Sequence, residues 1–383
     1  RDVAPSRGLG DVYKRQEEYF ARIKSGDPSK LVVIIDEAQF VAKRDASFME
    51  AVAKLKKHKL YPGPVLIILA TSSTVWATQE ASEQFKGAEM KLESLNFLEV
   101  VRHFESLPVA EIVRIYGAIG GVPAYLDKWD AAKSFKDNIC RLVLTPSGAL
   151  YGEADAVIAA ELRELSAYST ILAAIARGEN KLNDIFHATG FSRAKISVYL
   201  KNLATFNIVE KVVSFETGGW ENAKKGVYQI KDTFVNFWFK FVYPNMSNLY
   251  LLSPEEFYDT YIEKELDAYL ERYFREVCTE YLLILNQMGQ LPFTIKRVGT
   301  WIGKTGRIDI VAQSEDRRSI IGFCNWDKPM MTMDMCENMA MAMEQARLTS
   351  DDYYLFSATD FEPALQSYVV RDPRFKLINM NEL

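Results

Sequence analysis

The chain is poor in cysteine and histidine, and it has no long apolar run. Its 383 residues include four cysteines and three histidines. The cysteines are scattered and form no Cys-x-x-Cys pair, which argues against a zinc site or a disulfide framework and favours a reducing, cytoplasmic setting. No apolar run approaches the roughly twenty residues of a membrane-spanning helix, so we expect no membrane partner.

A strong charge of one sign is also lacking. Lys and Arg together number 46, and Asp and Glu number 51, which gives a formal net charge of −5. This balance provides no global attraction to nucleic acid, so a nucleic-acid-binding role would have to rest on a local basic patch. The hydrophobic fraction of 48% is sufficient for sizeable cores, and the length suggests two or three domains.

The most informative stretch is an apolar run that ends in two acids. Residues 31–35 are all aliphatic, and Asp36 and Glu37 follow directly. Such a run is typical of a strand buried on both faces of a parallel sheet, whose C-terminal end is a ligand-binding edge. In the Walker B pattern of P-loop ATPases, Asp36 would hold Mg²⁺ through its waters, and Glu37 would orient or deprotonate the water that attacks ATP. The alternative is a buried strand that ends in a solvated acidic turn.

A second apolar run strengthens this interpretation. Residues 65–70 are aliphatic and lead into Thr71 and Ser72, and the charged stretch 46–59 between the two runs is predicted to be a crossover helix. A hydroxyl at the end of the strand beside Walker B can sense the γ-phosphate or its attacking water. The alternative is that these hydroxyl residues only form a turn and cap the next helix.

The phosphate-binding loop that accompanies this pattern is missing. No Gly-x-x-x-x-Gly-Lys-Ser/Thr string occurs in the sequence. A βαβ unit alone takes roughly thirty residues. The stretch before Asp36 is therefore too short for a strand, a phosphate-binding loop, a helix and the Walker B strand. Residues 1–16 show no periodicity and no initiating Met, so we expect an artefact or a disordered segment there. These features favour a chain that is truncated at its N-terminus, with recognisable helical sequence from Glu17.

Several motifs together resemble the archaeal-type STAND ATPases, which are AAA-like P-loop proteins. The resemblance lies in residues 36–39, in the Leu-Asn-Phe turn at 95–97 and in the Tyr-x-x-x-Gly-Gly-Val-Pro-x-Tyr-Leu string at 116–126. It implies a helical lid in which Gly121 and Pro123 match a Gly-x-Pro signature on the nucleotide side of the cleft. The alternative for these two residues is an ordinary helix break.

Residues 181–230 have the pattern of a winged helix-turn-helix. A first helix ends at Gly190, Ser192 caps a second amphipathic helix, and two short strand-like runs follow. DNA-reading residues usually lie on the exposed side of the second helix. The candidate DNA contacts there are Arg193, Lys195, Ser197 and Lys201. The alternative is a solvated helix face in a winged helix that contacts only proteins.

The C-terminal region resembles the domain of unknown function that ends these ATPases and is similar to PD-(D/E)xK nucleases. The resemblance implies a helix acid at Glu276 and a strand acid at Asp309, but Phe323 and Asn325 occupy the positions of the Glu-x-Lys pair. A phenyl ring cannot ligate Mg²⁺ and an amide cannot act as the lysine would. We therefore expect a degenerate nuclease site, with rescue by the nearby Asp327 left open.

The sequence thus predicts an α/β protein with a partial P-loop NTPase sheet and helical lid, a winged helix-turn-helix, and a C-terminal α/β restriction-endonuclease-like domain. The expected function is an ATP- and Mg²⁺-dependent conformational switch, with this chain inactive alone. The alternative is a DNA-binding regulator or a nuclease-related nucleic-acid-binding protein, and a protein partner or self-association is also open. The expected domains are the back half of the ATPase domain at 17–90, the lid at 91–150, the winged helix at 151–248 and the nuclease-like domain at 249–383.

Overall fold

The computed structural model of the protein describes residues 31–57, 64–73, 75–85, 87–215, 226–303 and 306–383. The segment 1–16, predicted to be an artefact or disordered, lies outside these residues. The chain divides into two units at the junction of Leu92 and Glu93. The fold class is the mixed α/β class that the sequence predicts, because helices alternate with short sheets in both units.

The first unit contains two parallel strands, β1 (Leu31–Ile35) and β2 (Val65–Leu69). They pair in register, so the chain leaves both strands at the same edge. This is the arrangement predicted from the two apolar runs. The helical segments of the unit are α1 (Ala38–Arg44), α2 (Phe48–Lys57), a π-helical segment (Trp76–Ala81) and α3 (Ser82–Phe85).

One face of this two-stranded sheet is exposed, which differs from the burial on both faces expected from the apolar runs. The side chains of Val32 and Ile34 are 51% and 65% exposed, and Leu66 on β2 is 56% exposed. An apolar run reports residue type, whereas burial depends on what packs against each face of the strand. The described residues supply packing on only one side of β1.

The second unit begins with a helical region that includes the predicted lid. The sequence at 91–97 has a short strand-like pattern, but the structure has no strand there. Instead, Asn96 caps the first helix by accepting from the Glu99 amide, and the Glu99 carboxylate accepts from the Asn96 amide. This reciprocal capping fixes the helix start at Phe97. The helices of the region are α4 (Phe97–His103), α5 (Val109–Ile119), α6 (Pro123–Leu126), α7 (Phe135–Ile139), α8 (Glu153–Glu161) and α9 (Leu165–Ala176).

A helix-turn-helix and a two-stranded antiparallel sheet follow, as the sequence predicts. Gly190 ends the first helix at a φ of 70°, in the left-handed region that glycine tolerates, and Ser192 caps the second by accepting from the Lys195 amide. The elements are α10 (Leu182–Thr189), α11 (Arg193–Thr205), β3 (Val209–Val212) and β4 (Val227–Ile230).

The remainder is a five-stranded mixed sheet with helices on both faces. Its strand order is β11-β9-β7-β6-β5, in which β5, β6 and β7 are antiparallel neighbours and β7, β9 and β11 are parallel neighbours. The strands are β5 (Arg297–Ile302), β6 (Arg307–Gln313), β7 (Ser319–Asn325), β9 (Asp352–Ser357) and β11 (Phe375–Asn379), with a separate short pair of β8 (Met330–Met331) and β10 (Asp360–Phe361). The helices are α12 (Thr233–Phe237), α13 (Met246–Leu249), α14 (Pro254–Tyr261), α15 (Glu263–Gln287), α16 (Met333–Ala346) and α17 (Pro363–Arg371).

Two buried clusters lie on opposite faces of this sheet. Along β7, Ile320 joins a cluster with Phe274 of α15, and Ile321 joins a second cluster with Met339 of α16. Successive strand residues point to opposite faces, so α15 and α16 cover the two sides. No helix in the described part of the chain has the length and apolarity needed to cross a bilayer.

Candidate functional site

The shared strand edge of the first unit brings Glu37 and Ser72 together. The Ser72 hydroxyl donates to Glu37 Oε2 over 2.9 Å, and the Ser72 amide lies 3.4 Å from the same oxygen. The contact forms because Ala70 N donates to Ile35 O and Ala38 N donates to Ala70 O, which aligns the chain beyond both strands. Two of the residues singled out from the sequence therefore meet at the edge where open α/β sheets bind ligands.

Gln39 connects Glu37 and Ser72, although it was not among the site residues predicted from the sequence. Its side chain is buried, and its Nε2 donates to Glu37 Oε2 over 2.5 Å and to Ser72 Oγ over 3.0 Å. Its Oε1 accepts from the Thr71 hydroxyl over 2.6 Å. The signal available in the sequence was the Asp-Glu-Ala-Gln string itself, in which Gln39 lies two residues after the acid.

The network favours the ionised form of Glu37. Hydrogen bonds from Gln39 and then from Ser72 hold the pKa of the Glu37 carboxyl below its ordinary value of 4.5. Glu37 also has a φ of 48°, in the left-handed region, where a non-glycine residue is uncommon and costs backbone energy. The side chain is thus charged at neutral pH and held toward the end of β2.

Asp36 offers hard oxygen atoms at the same edge. Its side chain is exposed, and Oδ1 accepts from the Glu37 amide over 3.0 Å. Mg²⁺ prefers oxygen ligands and usually retains several waters, with one or two carboxylates and substrate phosphates completing its shell. The donor set of Asp36, Thr71 and Ser72 fits an ion of that kind, and the described residues form no cluster of three or more His, Cys, Asp or Glu side chains.

Gly121 and Pro123 lie in the second unit, in the turn between α5 and α6. Leu95 N donates to Gly121 O over 2.8 Å, and a Cβ atom at position 121 would lie 1.8 Å from Leu95 O. Pro123 occupies the first turn of α6 and is exposed. Close backbone packing therefore explains why residue 121 is a glycine. The role of Gly121 and Pro123 on the nucleotide side of the cleft stays a prediction.

The four residues predicted to contact DNA are exposed on α11. Arg193 Nη2 donates to Asn183 Oδ1 over 2.6 Å and its guanidinium lies 4.1 Å from the Phe186 ring, whereas Ser197 donates to Arg193 O within the helix. Lys195 Nζ lies 4.4 Å from the ring of Phe191. The buried face is formed by Ile196, Tyr199, Leu200 and Leu203, so the basic side chains stand on the side away from the core.

Asp309 lies at a bulge of β6 and is held by two arginines. The register between β5 and β6 shifts so that Asp309 and Ile310 oppose the single residue Thr300. Bulges of this type redirect a side chain. Asp309 Oδ1 accepts from Arg275 Nε over 2.9 Å and lies 3.3 Å from Arg307 Nε. Its Oδ2 accepts from the Cys324 amide over 3.2 Å.

The other members of the predicted degenerate nuclease site are not gathered around Asp309. Glu276 pairs with Arg272 over 2.8 Å, whereas the helix acid that lines the same cleft as Asp309 is Glu271. Phe323 does line that cleft.

Asn325 is buried, and its side-chain hydrogen bonds are made to residues other than Asp309. Its Nδ2 donates to the Ser357 hydroxyl over 3.0 Å and to Lys328 O over 3.2 Å. Its Oδ1 accepts from the Lys328 amide. Asp327, the possible substitute, pairs with Lys328 over 2.9 Å. The amide at 325 therefore stabilises the turn after β7.

Comparison with known proteins supplies a family match for part of the chain. Residues 238–343 match the family model DUF234, described as archaeal and bacterial proteins of unknown function. An uncharacterized protein of Methanocaldococcus jannaschii, MJECL04, is 28% identical over 351 residues, which cover 89% of this chain and 77% of the relative.

Two solved structures resemble the chain weakly. One is the Aeropyrum pernix Orc1 protein in complex with DNA, with a TM-score of 0.28 and 13% identity over 65% of this chain and 72% of that chain. The other is protein VC1899 from Vibrio cholerae, with a TM-score of 0.23 and 10% identity over 94% of this chain and 89% of that chain. Likeness at this level carries no functional assignment.

Proposed function

We propose that residues 31–92 supply the Walker B half of an ATP-hydrolysing site, and that the protein is a nucleotide-dependent switch of the archaeal-type STAND kind. The observation that carries this proposal is the 2.9 Å contact between Glu37 and Ser72 at the common edge of two parallel strands. A carboxylate and a hydroxyl at this edge are the groups needed to orient a water and to sense a terminal phosphate.

Each residue has a distinct role in this proposal. Asp36 would hold a Mg²⁺ ion through water, and such an ion would supply positive charge for the nucleotide phosphates. Glu37 is ionised at neutral pH and accepts a hydrogen bond from the attacking water. Gln39 positions Glu37 against Ser72, and Thr71 in turn fixes the Gln39 amide.

The 383 residues contain no phosphate-binding loop motif, so we expect this chain alone to bind Mg-ATP weakly. The backbone amides and the lysine of that loop normally supply most of the phosphate affinity. Isothermal calorimetry with Mg-ATP should detect no tight site. A sub-micromolar dissociation constant would contradict the proposal that the phosphate cradle comes from elsewhere.

The catalytic assignment is tested in the protein expressed together with any coding sequence that lies upstream of residue 1. Glu37→Gln should abolish hydrolysis and retain bound ATP, because the amide cannot accept the water's proton. Asp36→Asn should instead weaken the retention of Mg²⁺. Glu83→Gln is the matched control, since Glu83 is exposed on α3 away from the strand edge. Normal hydrolysis by Glu37→Gln would show that Glu37 is not the catalytic base.

A second candidate function is DNA binding through α11. The sequence of α11 contains Arg193, Lys195 and Lys201 and no acid, so every charged residue on its exposed face is basic. Fluorescence anisotropy with duplex DNA should show salt-dependent binding that weakens in Lys201→Ala, with a loss of about 0.9 in the salt slope for each phosphate contact removed. The control is Lys264→Ala on α15. Equal binding by both variants would exclude α11 as the contact surface.

A further inference from the structure

The C-terminal sheet and α16 enclose a cleft of about 590 Å³ that the proposed function does not use. Its polar wall is formed by Arg307 and Asp309 of β6 and by Glu271 of α15. Its opposite wall is formed by α16, which contributes Met335, Met339 and Met341 among other residues. An apolar cleft with a few convergent polar groups is the usual form of a small-molecule site.

The carboxylate in this cleft is not available to a divalent cation. Asp309 Oδ1 is shared by the Nε atoms of Arg275 and Arg307, and Oδ2 accepts from the Cys324 amide. A Mg²⁺ ion at Asp309 would have to displace two guanidinium groups or lie beside them, and like charges at that distance repel strongly. Where the resemblance implied a metal, the cleft therefore has a carboxylate that is already held by two arginines, and Glu271 is the other acid in its lining.

Arg307 is the positive group that can meet a ligand. Its side chain is 43% exposed and lines the cleft, whereas Arg275 is only 11% exposed. Of the Arg307 nitrogens, only Nε has a partner among the residues that the structure describes. The two terminal nitrogens form the fork that recognises carboxylates and phosphates.

The charge on Arg307 is also incompletely compensated. Burial, and then the neighbouring Arg275, lower the pKa of Arg307 to about 10, and the acids Asp309 and Glu271 offset this only in part. The guanidinium remains charged at neutral pH, and an entering anion would relieve the repulsion between the two arginines.

The opposite wall of the cleft is suited to an apolar body. Met335 and Met339 are one helical turn apart on α16, and Met341 at the rim is 54% exposed. Phe323 completes the apolar lining from β7. Thioether side chains are flexible and polarizable, so such a wall adapts to ligands of different shape.

We propose that this cleft binds a small organic anion with an apolar body, with the anionic group on Arg307 and the apolar part against the methionines of α16. Binding is independent of metal and of the nucleotide edge in the first unit.

The probe is anilinonaphthalene sulfonate, an aromatic anion whose fluorescence rises in apolar surroundings. With the 383-residue chain in EDTA, we expect saturable binding that decanoate or adenosine monophosphate displaces. The neutral analogues decanol and adenosine should displace the probe far less. If decanoate is the better competitor, the site favours a carboxylate on an aliphatic body. If adenosine monophosphate is better, it favours a phosphate on a planar body. Equal displacement by the neutral analogues would overturn the proposal.

Two substitutions in the cleft test the site itself. Arg307→Gln should weaken binding about tenfold, because it removes a charge-assisted contact. Met341→Glu should weaken binding by placing a negative charge at the rim, whereas Met341→Lys should preserve or strengthen it. Position 341 is exposed, so both changes leave the core intact.

The matched control is Arg371→Gln, which removes an exposed arginine at the end of α17. It should bind the probe as the unmodified chain does. Circular dichroism and thermal unfolding confirm that each variant is folded. Unchanged binding in Arg307→Gln together with equal binding in the two Met341 variants would overturn the assignment of the site.

Discussion

Gly121 owes its identity to the backbone that approaches it. The carbonyl oxygen of Leu95 would lie 1.8 Å from a Cβ atom at position 121, and the Gly121 carbonyl accepts from the Leu95 amide. Any side chain would have to push these two segments apart. Packing against Leu95 thus explains the glycine of the Gly-x-Pro string, whether or not the string also faces a nucleotide.

We therefore expect Gly121→Ala to destabilise the protein by about 3 kcal/mol, since the backbone rather than a flexible side chain must move. Gly152→Ala is the control: nothing lies within 4 Å of its added Cβ, and its φ is −107°. That change should alter stability by less than about 0.5 kcal/mol. Chemical denaturation followed by circular dichroism measures both, and equal stability of the two variants would contradict the packing explanation.

The Glu37 network makes a prediction about pH. Because hydrogen bonds from Gln39 and Ser72 lower the pKa of Glu37, their stabilisation is present above the ordinary value of 4.5 and is lost as the pH falls through the lowered value. Ser72→Ala should raise the pKa of Glu37 toward 4.5, as measured by carboxyl-carbon NMR titration.

Ser47→Ala is the control for that titration. The Ser47 hydroxyl donates to Asp45 and lowers the pKa of that residue, so the variant should shift Asp45 and leave Glu37 unchanged. A Glu37 pKa that is insensitive to Ser72→Ala would show that the two side chains do not interact in solution.

The placement of residues at strand ends could be predicted from the sequence, but which side chains of a helix face the cleft could not. The apolar runs located Glu37 and Ser72 correctly because parallel strands end at one edge. The acid of α15 near Asp309 could not be chosen from sequence, because neighbouring helix positions differ by about 100° in direction. Glu271 and Arg275 are four residues apart and point toward the cleft and Asp309, whereas Glu276 points toward Arg272.

At the scale of elements, α4 is held by a side chain that is distant in sequence. Glu280 of α15 accepts from the Phe97 amide over 3.0 Å and from the Leu98 amide over 3.1 Å. These amides have no partner within the helix, and a carboxylate at a helix N-terminus satisfies them and complements the helix dipole. The contact joins the first helix of the second unit to its longest one.

Glu280→Ala should therefore destabilise the protein by about 1–2 kcal/mol, because two helix amides lose a charged acceptor. Lys264→Ala, an exposed position on the same helix, should have little effect. Hydrogen exchange measured by mass spectrometry should show faster exchange at the start of α4 in Glu280→Ala alone. Unchanged protection there would mean that Asn96 and Glu99 cap the helix without Glu280.

Sequence periodicity located most elements because local signals determine them. Gly190 and Ser192 set the turn of the helix-turn-helix, as the sequence predicted. The strand-like pattern at 91–97 forms no strand, because such a short pattern also fits an extended segment that leads into a capped helix. Long-range contacts such as the Leu95–Gly121 hydrogen bond have no local signal.

At the scale of the whole molecule, the two units differ in how much core they possess. Both buried clusters draw all their residues from position 97 onward. In the described part of the first unit, the buried hydrophobic residues are Ala38, Val52 and Trp76. Hydrophobic burial is the dominant favourable contribution to folding, so the second unit has what it needs to fold independently.

We expect a fragment of residues 93–383 to fold alone, unfold in one cooperative transition and bind the anionic probe as the full chain does. A shorter fragment, 109–383, lacks Phe97, Val100 and Phe104, which are buried in the larger cluster, and should have a clearly lower melting temperature. Calorimetry and probe titration measure the two properties. If 93–383 showed no cooperative transition while the full chain did, residues 1–92 would have to contribute to the core of the second unit, and the division at Leu92 would be wrong.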